Sequence, residues 1–202
     1  MMNPTFQIER DLMAQGYRGV VGVDEAGCGA LAGPVVAAAV IFPVDSRLGR
    51  IKDSKLLSPN SREELFPLIL ERAVAWAVGS ASVAEITTLN IRRASLLAMQ
   101  RAVASIMQAD YVLVDAWIIP GISLPQKGII HGDRLVKSIA AASIIAKVTR
   151  DHLMTDLAQE FPVYGFAEHK GYATEEHRAA IRAHGPCPHH RLSYRTFHPV
   201  LF

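Results

Sequence analysis

The sequence predicts an α/β fold, in which helices pack on a central sheet. Short β-type runs dominate the first part of the chain, helical periodicity dominates the last part, and the two alternate in between. With 202 residues, half of them apolar, the chain can bury one substantial core. It contains no internal repeat or long linker, so we expect a single domain over residues 1–202 with a helical C-terminal region at about residues 151–202.

Five segments have the composition of short strands, and they are expected at residues 20–24, 35–42, 73–81, 111–115 and 127–131. The helical spacing of apolar residues predicts helices at residues 62–72, 83–107, 135–150, 151–160 and 174–183. Ser58 before Pro59 is a typical helix start, and residues 87–90 can break the long segment at 83–107. Together these elements predict one five-stranded sheet with helices packed on it.

Acidic residues stand where predicted strands end or a helix begins. Asp24 and Glu25 follow VVGV, Asp115 follows YVLV, and Asp133 follows KGIIHG. If these ends lie side by side in one sheet, four carboxylates converge, although any single acid could equally be a cap or a surface group. Such hard oxygen ligands suit Mg²⁺ or Mn²⁺, and two ions about 3.5–4 Å apart can activate water and stabilise the leaving oxygen of a phosphodiester.

A loop of small residues follows the first acids, with glycines at Gly27, Gly29 and Gly33. Glycine lets another backbone or a phosphate chain come close. A dinucleotide-binding turn is excluded, because that motif opens a helix, whereas Pro34 and the Val/Ala/Ile run lead into a strand. A zinc site at Cys187, His189 and His190 lacks a second ligand pair, so we expect these histidines to contact solvent or phosphate. No G-x-S-x-G elbow supports a serine hydrolase.

Composition narrows the class of protein further. The formal net charge of +2 is small, but Lys, Arg and His are frequent after residue 137, which suits local binding of a polyanion as well as an ordinary solvated surface. No apolar run reaches the roughly 18 residues of a membrane span, and the N-terminus does not read as a secretory signal. Two cysteines make no disulfide framework, so a reducing cytoplasm is the expected location.

The motifs together resemble bacterial ribonuclease HII. They are DEAGCGALAGPVVAAAV, KDSKLLS, YVLVDA, GD followed by IAAASIIAKVTRD, and YGFAEHKGYAT, in order over about residues 20–200. Only about twenty residues precede the first strand, whereas type III enzymes carry an additional N-terminal domain, so type II is favoured.

This resemblance implies a ribonuclease H-like fold with a mixed five-stranded sheet and one catalytic domain, whose C-terminal helices bind substrate. It implies an endonuclease that hydrolyses the RNA strand of RNA–DNA hybrids and incises the 5′ side of single ribonucleotides embedded in duplex DNA. Two-metal-ion catalysis with Mg²⁺ or Mn²⁺ would leave 5′-phosphate and 3′-hydroxyl ends. The implied roles are ribonucleotide removal from DNA and RNA primer removal.

The family's site residues carry over onto matching positions. Its four metal-binding acids fall on Asp24, Glu25, Asp115 and Asp133, and Asp24 is expected to bridge the two metals or to lie nearest to both. Its ribose-sensing loop falls on Gly27, Cys28 and Gly29. The tyrosine that packs on the ribose and bonds its 2′-hydroxyl, the group that distinguishes RNA from DNA, falls on Tyr164.

This chain departs from the family at Cys28, where the family usually has Arg. Backbone contacts to the 2′-hydroxyl can survive that change, but a guanidinium–phosphate contact cannot. We therefore predict retained ribose sensing with weaker substrate binding, unless another basic residue compensates. His131 stands where the family often has Lys, which suggests a pH-sensitive charge at the site edge.

Further substrate contacts are expected on a loop and on the helix after Asp133. Lys52, Ser54 and Lys55 resemble a phosphate-binding segment. Serine, lysine and arginine at Ser143, Lys147 and Arg150 could hold the nucleic-acid backbone, or could equally be helix-surface groups and internal salt bridges.

We expect a monomer that acts on RNA–DNA hybrids and ribonucleotide-containing duplex DNA and binds no membrane. The chain ends at PVLF soon after its last motif and offers no obvious tail for a sliding clamp, which leaves a clamp partner open. Two other functions stay in view: a ribonuclease H-like nuclease without ribose specificity, which would cut all-DNA duplexes, and a non-catalytic hybrid-binding module.

Overall fold

A mixed five-stranded sheet forms the centre of the protein, with strand order β3-β2-β1-β4-β5. The computed structural model describes residues 3–46, 51 and 57–197. The strands are β1 (Val20–Ala26), β2 (Val35–Ile41), β3 (Ala75–Ala81), β4 (Tyr111–Asp115) and β5 (Gln126–Ile129). Strands β1, β2 and β3 pair antiparallel, whereas β4 pairs parallel with both β1 and β5. The predicted α/β class with a mixed five-stranded sheet is thus confirmed.

The described helices include those predicted, in the predicted order, with several changes of boundary and some short helices that were not predicted. They are α1 (Gln7–Ala14), α2 (Pro59–Arg72), α3 (Val83–Leu89), α4 (Ile91–Ala104), α5 (Gly132–Leu135), α6 (Lys137–Glu160), α7 (Phe166–His169) and α8 (Glu175–His184). Short 3-10 turns lie at Pro162–Tyr164 and Arg195–Phe197. Helix α2 begins after Ser58, whose hydroxyl accepts from the Ser61 N–H, as the Ser58–Pro59 start signal indicates.

The helix predictions were wrong in one place and incomplete in another. Residues 137–160 form one continuous helix, α6, in place of the two predicted at 135–150 and 151–160, because they contain no Gly or Pro to interrupt it. Helix α1 was not predicted. It is tied to the start of α6 by the buried Glu9, whose carboxylate accepts from the backbone N–H and hydroxyl of Ser138.

Helices cover both faces of the sheet. On one face, α4 packs on β1, β2 and β3 through buried Ala, Val and Met side chains. On the other face, the Ala- and Ile-rich middle of α6 and Ile69 of α2 pack on β2. Strand β2 is buried at every position, which explains its unbroken apolar sequence. Within the described residues, no helix is long and apolar enough to span a membrane.

Candidate active site

Three aspartates come together at one end of the sheet. Asp24 lies near the end of β1, Asp115 ends β4, and Asp133 lies in the first turn of α5. Each offers a carboxylate oxygen that lies within 4.8 Å of those of the other two. The parallel register pairs Val23 with Val114, so the next residues, Asp24 and Asp115, are level on neighbouring strands.

Helix α5 is held against the end of β4 by its own backbone. The Gly132 N–H donates to Asp115 Oδ1 at 2.8 Å, and His131 adopts a left-handed conformation with φ 57° just before it. A Cβ on Gly132 would lie 2.7 Å from Ile139 Cδ1, so only glycine fits without rearrangement. This turn directs the next residue, Asp133, into the group of three aspartates.

The negative charge of Asp24 is poorly compensated by the protein. Burial raises the pKa of Asp24 well above its usual range, and the neighbouring Glu25 and Asp115 carboxylates raise it further. Hydrogen bonds from the Ser143 hydroxyl and from the Glu25 N–H, at 2.8 Å, favour the ionised form but do not offset these effects. An all-oxygen donor set with excess negative charge fits a hard divalent cation such as Mg²⁺ or Mn²⁺.

Glu25 lies outside the group of three aspartates. Side chains alternate along a strand, and Glu25 therefore points to the α4 face while Asp24 points to the α6 face. The Cys28 Sγ contacts Glu25 Oε1 at 3.2 Å and Ser95 Oγ of α4 at 2.9 Å. The expectation that all four carboxylates meet is therefore only partly met in this structure.

The Cys28 thiol is uncharged in this setting. Burial and the nearby Glu25 carboxylate raise the pKa of Cys28 to about 12. The thiol therefore contributes no charge of either sign beside the site at neutral pH.

Two buried arginines hold the glycine loop of residues 27–34. Arg150 donates to the carbonyls of Ala32, Pro34 and Lys170, and Arg191 to those of Cys28, Gly33 and Pro34, at 3.0–3.2 Å. Both are fully buried, at 0% exposure. The arginines fix the shape of the loop by binding its backbone.

The expectation that Arg150 holds nucleic acid needs correction. Its guanidinium is enclosed and satisfied by carbonyls, so it cannot contact a substrate in this structure. The role of Arg191 was missed by sequence reasoning. It stands in the basic segment HHRLSYR, where nothing local distinguishes a buried arginine from a surface one.

Within the loop, two glycines have different surroundings. Gly27 has φ 98°, and a Cβ there would lie 2.0 Å from Arg150 Nε, so this residue packs directly on the buried guanidinium. Gly29 is exposed, and a Cβ there would meet nothing within 4 Å. Gly29 therefore presents the part of the loop that another molecule can approach.

The two remaining residues predicted on α6 already have partners in the protein. Ser143 is buried and bonds to Asp24, so it acts on the aspartate and does not face a nucleic-acid backbone. Lys147 Nζ pairs with Asp151 at 2.7 Å, which is the internal salt bridge considered as the alternative. The residues Lys52, Ser54 and Lys55 lie outside the described part of the chain.

Tyr164 lies at the edge of the C-terminal helices and is 6% exposed. Its hydroxyl donates to the Gly185 carbonyl at 2.9 Å, and its ring stacks on Phe166 with centroids 5.4 Å apart. It also lines an open cavity of about 450 Å³ with Gly165, Glu168 and Thr174. Its contact with a ribose remains a prediction.

His190 does not face solvent or phosphate as expected. It is 1% exposed, its Nε2 lies 3.1 Å from His177 Nε2, and its Nδ1 lies 2.9 Å from the Cys187 backbone nitrogen. This histidine is therefore part of the packing under Tyr164.

The chain is similar in sequence and fold to known proteins. A family model described as ribonuclease HII matches residues 21–197. Ribonuclease HII from Desulfitobacterium hafniense is 52% identical over 193 residues, covering 95% of this chain and 73% of that protein. Ribonuclease H2 from Pyrococcus horikoshii OT3 superposes with a TM-score of 0.74 and 26% identity, covering 88% of this chain and 94% of that chain. Ribonuclease HII in the PCNA complex from Archaeoglobus fulgidus superposes with a TM-score of 0.72 and 26% identity, covering 88% of this chain and 96% of that chain. The ribonuclease H-like fold is thereby confirmed.

Proposed function

Because this chain belongs to the ribonuclease HII family of ribonuclease H endonucleases, we propose that it hydrolyses the RNA strand of RNA–DNA hybrids and incises the 5′ side of single ribonucleotides in duplex DNA. The products carry 5′-phosphate and 3′-hydroxyl ends. The observation that carries this proposal is the group of three aspartates. The loop that follows β1 lies next to Asp24 in the chain, and its backbone is accessible to another molecule at Gly29.

Asp24, Asp115 and Asp133, joined by Glu25, are proposed to hold two Mg²⁺ or Mn²⁺ ions. Such ions supply an activated water and offset the negative charge that develops on the leaving oxygen of a phosphodiester. The protein's own part is to hold the carboxylates in place. The Gly132 N–H fixes Asp115, while Ser143 and the Glu25 N–H fix Asp24.

Ribose recognition is assigned to the loop of Gly27, Cys28 and Gly29 and to Tyr164. The loop is shaped by two buried arginines, and rigid backbone groups can test for a 2′-hydroxyl without a charged side chain. The Tyr164 oxygen donates its proton to Gly185 and keeps lone pairs that can accept from a 2′-hydroxyl. Lys147, together with Lys52, Ser54 and Lys55, is proposed to contact the sugar-phosphate backbone of the nucleic acid.

The wider setting is also proposed. The chain is a single catalytic domain, residues 151–202 contribute to substrate binding, and the enzyme is a cytoplasmic monomer. Its roles are the removal of ribonucleotides from DNA and of RNA primers. The Archaeoglobus fulgidus ribonuclease HII is complexed with PCNA, so a sliding clamp is a candidate partner here.

The test is cleavage of a labelled DNA duplex that contains one ribonucleotide, with and without divalent metal. The parent should cut it only with metal, at the 5′ side of the ribonucleotide, and Asp24→Asn should lower kcat by at least about a thousandfold, as expected when a group that positions the reacting atoms is removed. The exposed acid Asp156 provides a matched control, and Asp156→Asn should leave the rate within about twofold of the parent.

Two other results would contradict the proposal. Equal cleavage of an all-DNA duplex would indicate a nuclease of the same fold without ribose specificity. Binding of hybrid without turnover in either Mg²⁺ or Mn²⁺ would indicate a non-catalytic module.

A further inference from the structure

A cavity lies close to the three aspartates, on the α4 face of β1, whereas Asp24 points to the α6 face. It has a volume of about 290 Å³ and is lined by Glu25, by Cys28 and by side chains from the first three turns of α4. Arg92 of α4 and Trp117 also line it. Glu25 directly follows Asp24, so this cavity adjoins the proposed active site.

Arg92 and Trp117 form a stacked pair in this cavity. The Arg92 guanidinium carbon lies 4.1 Å from the centre of the Trp117 ring. Arg92 is exposed and Trp117 is 53% exposed, which is unusual for so large an aromatic side chain. The backbone N–H of Trp117 donates to the Asp115 carbonyl at 2.7 Å, so the turn that carries Trp117 is tied to the strand end with one of the three aspartates.

Stacking leaves the hydrogen-bonding edge of Arg92 available. The ring contacts the face of the guanidinium, whereas its five N–H groups lie in the plane and point outward. In the described part of the chain, no carboxylate or carbonyl accepts from Arg92. Arg101 on the same helix differs, since it donates to Glu85 and to the Ser80 carbonyl. Arg92 is thus a pre-oriented but unused donor.

The charges of this cavity favour an anion at Arg92. Among the described residues that line the cavity, Arg92 is the cation and Glu25 is the carboxylate. Glu25 repels an anion, which directs it to the Arg92 side of the cavity. A planar, fixed guanidinium suits the paired oxygens of a phosphate diester.

We propose that Arg92, held in place by Trp117, binds a backbone phosphate of the nucleic-acid duplex next to the three aspartates. This inference rests on the proposed function, and it names the basic residue that compensates for the missing side-chain charge at Cys28. Trp117 is a positioning residue, because it acts by fixing the plane of the guanidinium.

Binding without cleavage tests this directly. The Kd of a fluorescent duplex with one ribonucleotide is measured in EDTA over a series of salt concentrations. Arg92→Gln should weaken binding about three- to tenfold and make the slope of log K against log salt less negative by about 0.9, the loss of one phosphate contact. Arg92→Lys should keep the slope but recover only part of the affinity, because it loses the planar fork.

Arg93 provides a matched control. It is the adjacent exposed arginine of α4 and lines a different cavity, with Leu89 and Pro120. Arg93→Gln removes the same charge from the same turn, and its Kd and salt slope should stay within about twofold and about 0.3 of the parent values. Trp117→Leu should weaken binding in the parent but add little in the Arg92→Gln background, because the two residues act as one unit.

Cleavage kinetics separate this inference from the proposed function. Arg92→Gln should raise KM about as much as Kd while kcat stays within about twofold. If Arg92→Gln and Arg93→Gln have the same Kd and salt slope while the parent cleaves normally, the inference is wrong and the proposed function stands. If the parent cleaves no ribonucleotide-containing duplex, both fail.

Discussion

Burial and two neighbouring carboxylates disfavour the ionised form of Asp24. The pKa of this residue is raised by burial first and then by Glu25 and Asp115, so the folded state favours the protonated form more than the unfolded state does. By linkage, the ionised form costs stability at neutral pH. The site therefore keeps a destabilising arrangement of acids, which is what binding of a divalent cation would relieve.

We predict that Asp24→Asn stabilises the metal-free protein. The amide resembles the protonated carboxyl and removes the repulsion, so the free energy of unfolding in EDTA should rise by about 1–2 kcal/mol. Thermal unfolding measures this, with Asp156→Asn as an exposed control that should change little. Added Mg²⁺ should raise the Tm of the parent more than that of the variant. A less stable Asp24→Asn protein in EDTA would contradict the electrostatic interpretation.

Among the elements, the glycine loop is shaped by side chains far away in the sequence. Arg150 comes from α6 and Arg191 from the segment after α8, and both bind backbone carbonyls of the loop. Tyr194 adds a hydrogen bond from its hydroxyl to the Cys28 carbonyl at 3.1 Å. The loop can therefore carry glycines without becoming loose.

We predict that Arg191→Met destabilises the protein by about 3 kcal/mol, because the carbonyls of Cys28, Gly33 and Pro34 lose their buried donor. Urea unfolding at neutral pH measures the change. Arg191→Lys should recover only part of it, since one ammonium cannot reproduce the planar fork. The exposed Arg178→Met should cost less than about 0.5 kcal/mol. Equal stability of Arg191→Met and the parent would show that these bonds do not hold the loop.

His177 and His190 lie beneath Tyr164, and their hydrogen-bond partners determine which ring nitrogen of each carries the proton. His177 Nδ1 lies 2.8 Å from the Tyr172 carbonyl, which can only accept, so this nitrogen carries the proton. His177 Nε2 must then accept from His190 Nε2, and His190 Nδ1 accepts from the Cys187 N–H. A proton added to His177 Nε2 would place two N–H groups face to face at 3.1 Å, and a proton added to His190 Nδ1 would face the Cys187 N–H at 2.9 Å.

The pH dependence of stability follows from this network. Burial first, and then His177, lowers the pKa of His190 to about 4, and burial lowers that of His177. The unfolded chain binds these protons near pH 6.5, so the network is intact above that pH and is lost as the pH falls toward about 4. The groups facing the pair are His169, His189, Cys187 and the Tyr164 ring.

We predict that the free energy of unfolding falls by on the order of 3 kcal/mol between about pH 6.5 and about pH 4 because of His190. Urea unfolding should be followed in the Asp24→Asn background, because the raised pKa of Asp24 gives a slope of opposite sign. NMR of the histidine rings is the second readout, and the His190 signals should not shift above about pH 5. Titration of His190 near its ordinary pKa would contradict the proton assignment.

At the scale of the whole molecule, the close packing of β1 against α6 sets the position of Asp24 in the active site. Gly22 stands in the middle of β1, paired with Val40 of β2 and Leu113 of β4. A Cβ there would lie 2.3 Å from the Ser138 carbonyl carbon and 2.5 Å from the Ile139 nitrogen. The same helix carries Ser143, which bonds to Asp24, so this close approach of strand and helix also sets the site.

We predict that Gly22→Ala costs more than about 3 kcal/mol, because neither the strand nor the helix backbone can move aside without disturbing the sheet. Gly29→Ala, where a Cβ meets nothing within 4 Å, is the matched control for stability and should cost less than about 1 kcal/mol. Urea unfolding compares the two, and the fraction of soluble protein serves if Gly22→Ala does not fold. Similar stabilities would show that β1 and α6 are not packed this closely.

Much of this architecture could be predicted because its signals are local. The runs VVGV and YVLV mark buried strands, Ser58 before Pro59 marks a helix start, and the acids stand at the strand ends. The errors arose where long-range contacts decide. Helix α1 is amphipathic but short, and it is held by Glu9 and Ser138, which lie far apart in sequence. Arg150 has the composition of a surface residue, and only the surrounding carbonyls bury it.

The sequence by itself determined the α/β class, the family, and which acids stand at the ends of β1, β4 and the strand before α5, because strand and helix periodicity and ordered motifs are properties of neighbouring residues. Only the tertiary structure decided that three aspartates meet while Glu25 turns to the other face, that Arg150 and Arg191 serve the loop, and that Arg92 stacks on Trp117. These outcomes depend on strand register, helix packing and burial, which join residues that are distant in the chain.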